Sequence, residues 1–360
     1  MQLLAELVKE QNGPNPLISP YSISAALLSA YAGAAGETAN QFQANTHSSR
    51  GTTAQVSAEL EDTRTALETS SSVFSSAQKL FVQKQLVIKP DFVRSCRVEA
   101  TCFYSKIDFL GSLKAEDVIN HWVSQQTKGN IVKLVAAADL NKATRLVVAD
   151  AAVWKTAFPA QLTRKAPFFL GGNEKTSVDM MTFGMAVKLP YFENNILQAV
   201  ALPFDSRSNK QELIVMLPKN ATLPSLLQPA LMKEVATGLR EQEVLVHLPK
   251  WKVETPLMNL NRALQALGLK DAFTGRADFS NIFANGSGIA IDKVLHRATF
   301  EVSEKGVEAL AASGVKLKVL GKKAIPKVFR ADRPFLYGVV CLKHNNFTHN
   351  ILSQSFTSNS

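Results

Sequence analysis

Apolar and polar residues alternate in several segments of the chain, and the clearest alternation lies between residues 294 and 302. The more apolar residues occupy every second position, with polar residues between them: Val294, His296, Ala298, Phe300 and Val302 against Arg297, Thr299 and Glu301. A period of two is typical of a strand with one buried face. This segment is therefore predicted to be a half-buried strand.

Similar patterns divide the chain into an early helical part and a later part that is richer in strands. Helical periodicity is found at residues 1–9, 22–35 and 52–67. Strand patterns, several of them ended by proline, are found at residues 147–154, 185–189, 197–202, 212–217, 243–248 and 289–302. Helices segregated from mostly antiparallel strands predict an α+β fold.

The segment after residue 302 first breaks the strand pattern and then offers a second one. Glu304, Lys305 and Gly306 end the alternation, and residues 307–314 (VEALAASG) are small and carry little charge. In an extended conformation one face of this run would hold residues that a sheet core accepts: Val307, Ala309, Ala311 and Ser313. The run is predicted to move between a loop and a strand.

Further motifs along the chain resemble those of the serpin family. In chain order they are NPLISPYSI at 15–23, Gly33, Gly36 and Thr38, INHWV at 119–123, Thr127, Gly129, Ile131, HLPKW at 247–251, Leu267, Gly268, ADFS at 277–280, VLH at 294–296, Phe329 and ADRPF at 331–335. The run at 304–314 is similar to the hinge of that family. The resemblance covers nearly the whole chain.

The resemblance implies an α+β, serpin-like fold with a large central, mostly antiparallel sheet, two smaller sheets, surrounding helices and an exposed reactive-centre loop at about residues 305–328. The 360 residues are 46 % apolar, and no Gly/Ser/Pro-rich linker divides them, so we expect a single domain over residues 1–360. No stretch approaches about twenty uncharged apolar residues, which predicts that nothing spans a membrane.

The function that the resemblance implies is mechanical. A serine protease attacks the exposed loop, forms an acyl-enzyme, and is trapped when the freed loop inserts into the central sheet as a new strand. The hinge of this movement is assigned by resemblance to Glu304, Gly306, Val307, Glu308, Ala309, Ala311 and Ala312. The alternative is a non-inhibitory serpin that acts as a carrier, storage or binding protein.

Two bonds are candidates for the reactive bond. Counted forward from Glu304 by the spacing usual in the family, the bond is Leu320–Gly321. Counted back from residues 334–335, it is Lys323–Ala324. The first is favoured because the inserted length sets how far the protease travels. Leu320 suits chymotrypsin-like or elastase-like proteases, and a lysine suits trypsin-like ones.

A second site implied by the resemblance is the shutter, where the central sheet opens. Ser19, Ser22, Asp150 and His296 are expected to form one hydrogen-bonded cluster there. The sequence departs from the inhibitory pattern, and these departures favour the non-inhibitory alternative. They are Val307 for Thr or Ser, Leu310 for a small residue, Asp150 for Asn, Phe158 for Trp, and an atypical C-terminal segment at 345–355.

Catalytic and metal-binding signatures are absent from the sequence. We find no Gly-x-Ser-x-Gly, His-Glu-x-x-His, Cys-x-x-Cys or phosphate-binding glycine loop, and the six histidines are scattered. Cys96, Cys102 and Cys341 form no disulfide framework, and buried thiols are expected. The chain is therefore predicted to be no enzyme, to need no cofactor and to bind no metal.

The formal net charge of +10 is concentrated near the loop. The basic residues there are Lys305, Lys316, Lys318, Lys322, Lys323, Lys327, Arg330 and Arg333, with Glu308 and Asp332 opposing them. A polyanion site and a solvated basic loop that steers acidic surfaces are both open interpretations. Residues 55–69, where glycosaminoglycan-regulated serpins carry a basic helix, are acidic instead.

Three glycosylation triplets begin at Asn220, Asn285 and Asn346, and they favour a secreted, extracellular glycoprotein. The first ten residues carry Glu6, Lys9 and Glu10 and do not form a signal peptide. Cytoplasmic localisation is the alternative. The expected partner is a serine protease, not a nucleic acid or a membrane, and the protein is expected to be a monomer.

Overall fold

A computed structural model gives the architecture of the chain. It describes residues 3–4, 6–7, 17–45, 53–68, 74–99, 103–109, 111, 114–160, 162–171, 174–203, 211–219, 222–284, 288–305, 325–341 and 354–356. The helices, in chain order, are α1 (Pro20–Tyr31), α2 (Gly36–Asn45), α3 (Thr53–Glu68), α4 (Pro90–Glu99), α5 (Ala115–Gln126), α6 (Pro229–Gly238) and α7 (Asn261–Ala266).

The strands follow the same order. They are β1 (Phe74–Gln83), β2 (Tyr104–Ile107), β3 (Leu146–Pro159), β4 (Leu162–Gly171), β5 (Glu174–Thr182), β6 (Val187–Glu193), β7 (Leu197–Pro203), β8 (Gln211–Pro218), β9 (Arg240–Pro249), β10 (Trp251–Glu254), β11 (Met258–Asn259), β12 (Ile291–Lys305), β13 (Lys327–Arg330), β14 (Phe335–Cys341) and β15 (Gln354–Phe356). Among the described residues, five of these seven helices precede β3, and thirteen of the fifteen strands are β3 or later, a distribution typical of an α+β fold.

The first sheet has the strand order β10-β12-β3-β1-β2, with β11 also paired to β12. It is mixed rather than uniformly antiparallel. The pairs β12–β3 and β1–β2 are parallel, and the pairs β1–β3, β10–β12 and β11–β12 are antiparallel. β3 and β12, the two longest strands of this sheet, lie side by side at its centre.

The second sheet has the order β15-β14-β8-β7-β6-β9-β5-β4, and β13 also pairs with β9. The sequence resemblance implied two smaller sheets, and here they are hydrogen-bonded into one. The cause is the length of β9, which pairs with β6 through Arg240–Val244 and with β5 through His247–Pro249. One long strand therefore joins what would otherwise be two sheets.

Both faces of the first sheet are covered around the middle of β3. On the front face α5 packs Ile119 and Val123 against Val147, Ala149 and residues of β1. On the back face α1 packs against Leu80, Val148 and Val294. Strands that are covered on both sides must be apolar on both sides, which explains why β3 reads as a nearly continuous apolar run.

Most predicted segments are present with shifted ends. The helix predicted at 22–35 spans Pro20–Tyr31 instead. The chain turns after Tyr31, and Gly33 lies so close to Ile282 that a Cβ atom would be 1.9 Å from its Cγ1. Strand 185–189 begins only at Val187, after a turn at Gly184 with φ of +75°. Of the predicted helix 1–9, residues 3, 4, 6 and 7 are described, and they are helical.

Candidate functional site

The candidate site is the seam between β3 and β12. The two strands run parallel and pair from Leu146 opposite Ile291 to Pro159 opposite Lys305. β12 ends at Lys305, where the predicted reactive-centre loop begins. The loop therefore leaves the sheet at one end of this seam. A new strand formed from the loop could enter the sheet here only if β3 and β12 separate.

A buried polar cluster lies under the middle of the seam. It consists of Ser19, Ser22, Asp150 and His296, each at most 1 % exposed. Nδ1 of His296 lies 2.7 Å from Oδ2 of Asp150, and the hydroxyl of Ser22 donates to the same oxygen at 2.9 Å. Asp150 and His296 are register partners on β3 and β12. Their contact therefore crosses the seam.

The N-terminus of α1 positions the two serines. Ser19 is the N-cap residue, its hydroxyl accepts from the backbone N–H of Ser22 at 3.2 Å, and Pro20 occupies the first helical position. Both choices are typical of helix starts, since the serine satisfies an otherwise open N–H and proline has none to satisfy. The same turn points the Ser22 hydroxyl at Asp150.

Both ring nitrogens of His296 have partners in the cluster. The backbone N–H of Ser19 lies 3.4 Å from Nε2 of His296, and Nδ1 faces Oδ2 of Asp150. Complete burial raises the pKa of Asp150, while the neighbouring His296 and the Ser22 hydroxyl oppose that rise.

The loop end of the seam carries a charged group at Glu304. Its carboxylate accepts from the hydroxyl of Thr163 on β4 and pairs with Nζ of Lys250 at 3.1 Å. The Thr163 hydrogen bond and the Lys250 ammonium lower the pKa of Glu304. Three residues before Glu304, the carboxylate of Glu301 on β12 lies 3.8 Å from Nζ of Lys155 on β3, across the seam.

Residues of the chain between α5 and β3 hold the other end and the middle of the seam. Thr144 donates to Asp292 at 2.9 Å, and Nζ of Lys293 pairs with Asp139 at 3.2 Å. Arg297 of β12 donates to the carbonyl of Lys133 at 2.6 Å. The chain that returns from α5 to β3 is therefore fastened to β12, and it covers the seam from the front.

The remaining predicted site residues fall in two groups. Phe158 is buried and packs against Phe183, with ring centres 6.3 Å apart. Of the hinge, only Glu304 is placed. The other hinge residues, Leu310, both candidate reactive bonds and the asparagines of the three glycosylation triplets lie outside the described residues: Gly306, Val307, Glu308, Ala309, Leu310, Ala311, Ala312, Leu320, Gly321, Lys323, Ala324, Asn220, Asn285 and Asn346.

Metal-binding and membrane-spanning features were sought in the described ranges. No three His, Cys, Asp or Glu side chains there are grouped as metal ligands would be. No helix in the same ranges is both long and apolar enough to cross a membrane. Cys96 is buried in α4, and Cys102 lies outside the described residues.

Comparison with known proteins decides the family. The family model described as "Serpin (serine protease inhibitor)" matches residues 1–352. The chain belongs to the serpin family. Its sequence is 33 % identical to Iripin-2 of Ixodes ricinus over 341 residues, which cover 91 % of this serpin and 84 % of the relative. It is 29 % identical to the leukocyte elastase inhibitor of Sus scrofa, with 94 % and 93 % covered.

Solved structures show the same fold. Maspin superposes with a TM-score of 0.84 at 23 % identity, covering 98 % of this serpin and 94 % of maspin. Uncleaved ovalbumin superposes with a TM-score of 0.83 at 24 % identity, covering 99 % and 96 %. At these identities the comparison speaks to the fold alone.

Sequence reasoning missed several residues of the seam. Lys155 lies in β3, Thr163 in β4 and Lys250 between β9 and β10, so their contacts with β12 depend on strand order. Arg297 and Lys293 were visible only as polar positions of an alternating strand. Their charge, on the strand face that α5 covers, indicated that each needs a polar contact, but the sequence did not indicate which residue supplies it.

Proposed function

We propose that this serpin inhibits a serine protease as a suicide substrate, by cleavage of its reactive-centre loop and insertion of the freed loop between β3 and β12. The observation that carries the proposal is the parallel seam of β3 and β12, which opens onto the start of the loop at Lys305. A loop that folds back from Lys305 would run antiparallel to both strands. Insertion would exchange one parallel ladder for two antiparallel ones, which are slightly more stable per residue.

The lengths agree with this movement. β12 has 15 residues. Cleavage after Leu320 would free residues 306–320, an equal number, which would extend over roughly 50 Å at about 3.3 Å per residue. Cleavage after Lys323 would free residues 306–323, which are three more than the 15 residues of β12. The match favours the Leu320–Gly321 bond.

The chemistry of trapping begins as ordinary acyl transfer. The serine hydroxyl of the protease attacks the carbonyl carbon of Leu320, and the bond to the nitrogen of Gly321 breaks. The leaving amine takes up the proton, and an ester joins the protease to Leu320. Insertion then carries the ester to the far end of the seam before water can hydrolyse it. This serpin supplies no catalytic group to these steps.

An elastase-like or chymotrypsin-like target follows from Leu320, and a trypsin-like target would follow from Lys323. The similarity to a protein named leukocyte elastase inhibitor supports the first. The test is incubation with pancreatic elastase, chymotrypsin and trypsin, followed by denaturing electrophoresis and mass spectrometry of the released C-terminal fragment. A covalent complex and a fragment that begins at Gly321 are expected. A fragment that begins at Ala324 would overturn the assigned bond.

The second candidate function is a non-inhibitory carrier, storage or binding protein. The buried contact between Asp150 and His296 favours it, because this contact fastens β3 to β12 at the place that must open. If every protease of the panel cleaves the loop and none forms a covalent complex, the non-inhibitory function is favoured over the inhibitory one.

The polyanion interpretation is the less favoured one for the basic residues near the loop. Three of them already face carboxylates: Lys327 pairs with Glu193 at 3.0 Å, and Arg330 and Arg333 pair with Asp332 at 3.3 and 3.1 Å. A polyanion would have to compete with these pairs. We propose that the basic loop steers an acidic protease surface, which a rate that falls with added salt would reveal.

Localisation, domain organisation and oligomeric state are proposals of the same kind. We propose one domain and a monomer, to be checked by a single unfolding transition and by light scattering. Secretion rests on the triplets at Asn220, Asn285 and Asn346. A mass decrease on glycosidase treatment of protein from its natural source supports secretion, and an unmodified mass supports the cytoplasmic alternative.

A further inference from the structure

Exposed apolar side chains gather at the place where the chain re-enters the sheet after the loop. Ten large apolar side chains are exposed in the described residues, and three of them lie here: Ile325 at 94 %, Val328 at 51 % and Ile196 at 40 %. Ile325 and Val328 flank the start of β13, and Ile196 lies in the turn between β6 and β7. We call these three residues the β13 patch.

Hydrogen bonds hold the two parts of the β13 patch together. Nε2 of Gln198, two residues after Ile196, lies 3.4 Å from the carbonyl oxygen of Val328. The carboxylate of Glu193, just before the turn, accepts from Lys219 of the β8 end and from Lys327 of β13, the latter at 3.0 Å. The Lys219 and Lys327 ammonium groups lower the pKa of Glu193 to about 2.

The patch is also fixed by the backbone. β13 pairs in parallel with β9 from Lys327 opposite Val244 to Arg330 opposite His247. Phe329 is fully buried, so the adjacent Val328 must face outward. An outward apolar residue on a strand that is paired with β9 and joined to β7 through Gln198 is a preformed contact surface, because little ordering cost is added when a partner covers it.

We propose that the β13 patch is a docking surface for the protease that attacks the loop, and that it selects proteases with an apolar surface beside the active-site cleft. The inference rests on the proposed function and deepens it. It makes part of the specificity independent of the residue at the reactive bond.

The short chain between the reactive bond and the β13 patch is the reason for proposing the protease as the partner. Ile325 follows Leu320 by five residues and Lys323 by two, so even a fully extended chain separates them by about 17 Å or about 7 Å. A protease domain of about 230 residues has a radius of gyration of about 17 Å. A protease seated on either bond therefore lies over or directly beside the patch.

The test uses one substitution at four positions. Ile196→Glu, Ile325→Glu and Val328→Glu place a charge in the patch. Val87→Glu is the matched control, because Val87 is 72 % exposed in the turn after β1, beyond the end of the sheet opposite Lys305. The rate constant for loop cleavage, counting trapped and released product together, is measured with pancreatic elastase, chymotrypsin and trypsin.

We expect the three patch variants to be cleaved about tenfold more slowly by at least one protease, the effect of losing about 1.4 kcal/mol of contact. Val87→Glu should be cleaved at the wild-type rate. Ile196→Glu is decisive, because Ile196 is distant in sequence from the loop and cannot act as a substrate residue. Equal slowing of an isolated peptide of residues 314–330 by the Ile325 and Val328 changes would also contradict docking.

Cleavage rate separates this proposal from inhibition. Fast cleavage without trapping would end the inhibitory proposal and leave the patch fully testable. Wild-type rates for all three variants, with every protease that cuts the loop, would overturn the patch. Absence of any cut between residues 306 and 324 would overturn both.

Discussion

Asp150 places a carboxylate inside the sheet, where burial disfavours its charge. Its folded pKa is raised above the unfolded value, so the folded state holds the proton more tightly. Stability from this group is present at low pH and is lost as pH rises through the folded pKa. Asp150→Asn, which keeps the shape without the charge, should therefore be more stable than the wild type at pH 8, by about 1–3 kcal/mol.

The advantage of Asp150→Asn should shrink toward pH 4, and denaturant unfolding at both pH values measures it. Asp62→Asn, at an exposed position of α3, should show no such trend. An advantage that is the same at both pH values would contradict a buried carboxylate with a raised pKa.

Glu212 offers a second pH effect with a defined window. It is 9 % exposed near the start of β8, between β7 and β14, and burial raises its pKa to about 7. Its stabilising contribution is complete below pH 4.5 and lost between about pH 4.5 and 7. The free energy of unfolding of Glu212→Gln, relative to that of the wild type, should therefore be higher at pH 8 than at pH 4 by on the order of 3 kcal/mol.

Chemical unfolding between pH 4 and pH 8 checks this, with Glu241→Gln at an exposed position of β9 as control. A parallel trend in both variants would assign the effect to overall charge.

The resemblance named the four members of the buried polar cluster but not the atoms that join them. The motif names Ser19 and Ser22, and the alternating strand names His296. The contact between the Ser19 N–H and Nε2 of His296 joins residues 277 positions apart in sequence, which no local pattern could indicate. The burial of Glu212 depends on neighbouring strands in the same way.

At the scale of elements, periodicity predicts faces but not partners. The alternation from Val294 to Val302 predicted a half-buried strand, and β12 has the predicted buried side. The half-burial is wrong in part, because Leu295 and Thr299 on the opposite face are buried as well. It carries no information on whether the neighbour is parallel. The pairing of β12 with β3 arises from chain topology, and the continuous apolar pattern of β3 agrees with burial on both faces.

Arg297 tests how firmly the chain between α5 and β3 is held. Its guanidinium is 26 % exposed and donates to the carbonyl of Lys133. Hydrogen bonds from charged groups contribute about 1.5–3 kcal/mol. Arg297→Ala should raise amide exchange about tenfold or more in residues 131–136, without a comparable change in β3.

Hydrogen exchange with mass spectrometry measures this, and Arg262→Ala on the exposed side of α7 is the control. Unchanged exchange in residues 131–136 would show that the apolar packing of Ile131, Leu134 and Val135 suffices to hold this segment.

The whole molecule is predicted to become more stable when the loop is cut. Insertion would add one strand to the first sheet, and about a dozen new hydrogen bonds at about 1 kcal/mol each give roughly 10 kcal/mol. With an unfolding entropy of about 2.1 cal/mol/K per residue, a chain of 360 residues should gain about 10–15 °C in melting temperature. Calorimetry before and after limited proteolysis within residues 306–324 tests this, and an unchanged transition would remove insertion from consideration.

Val307 decides whether insertion begins. By resemblance it lies at the hinge, where its side chain must pass from solvent into the opening seam beside Glu304. Val307→Arg would force a charge through that passage at a cost of several kcal/mol, so insertion should lose its competition with deacylation. The variant should be cut at the wild-type bond and release active protease, and its melting temperature should not rise after the cut.

Val307→Thr is the matched control, since a β-branched neutral side chain joins a sheet readily, and it should trap protease at least as well as the wild type. Electrophoresis of the complex together with calorimetry of the cut protein distinguishes the outcomes. Trapping by Val307→Arg at the wild-type yield would show that insertion does not start at this residue.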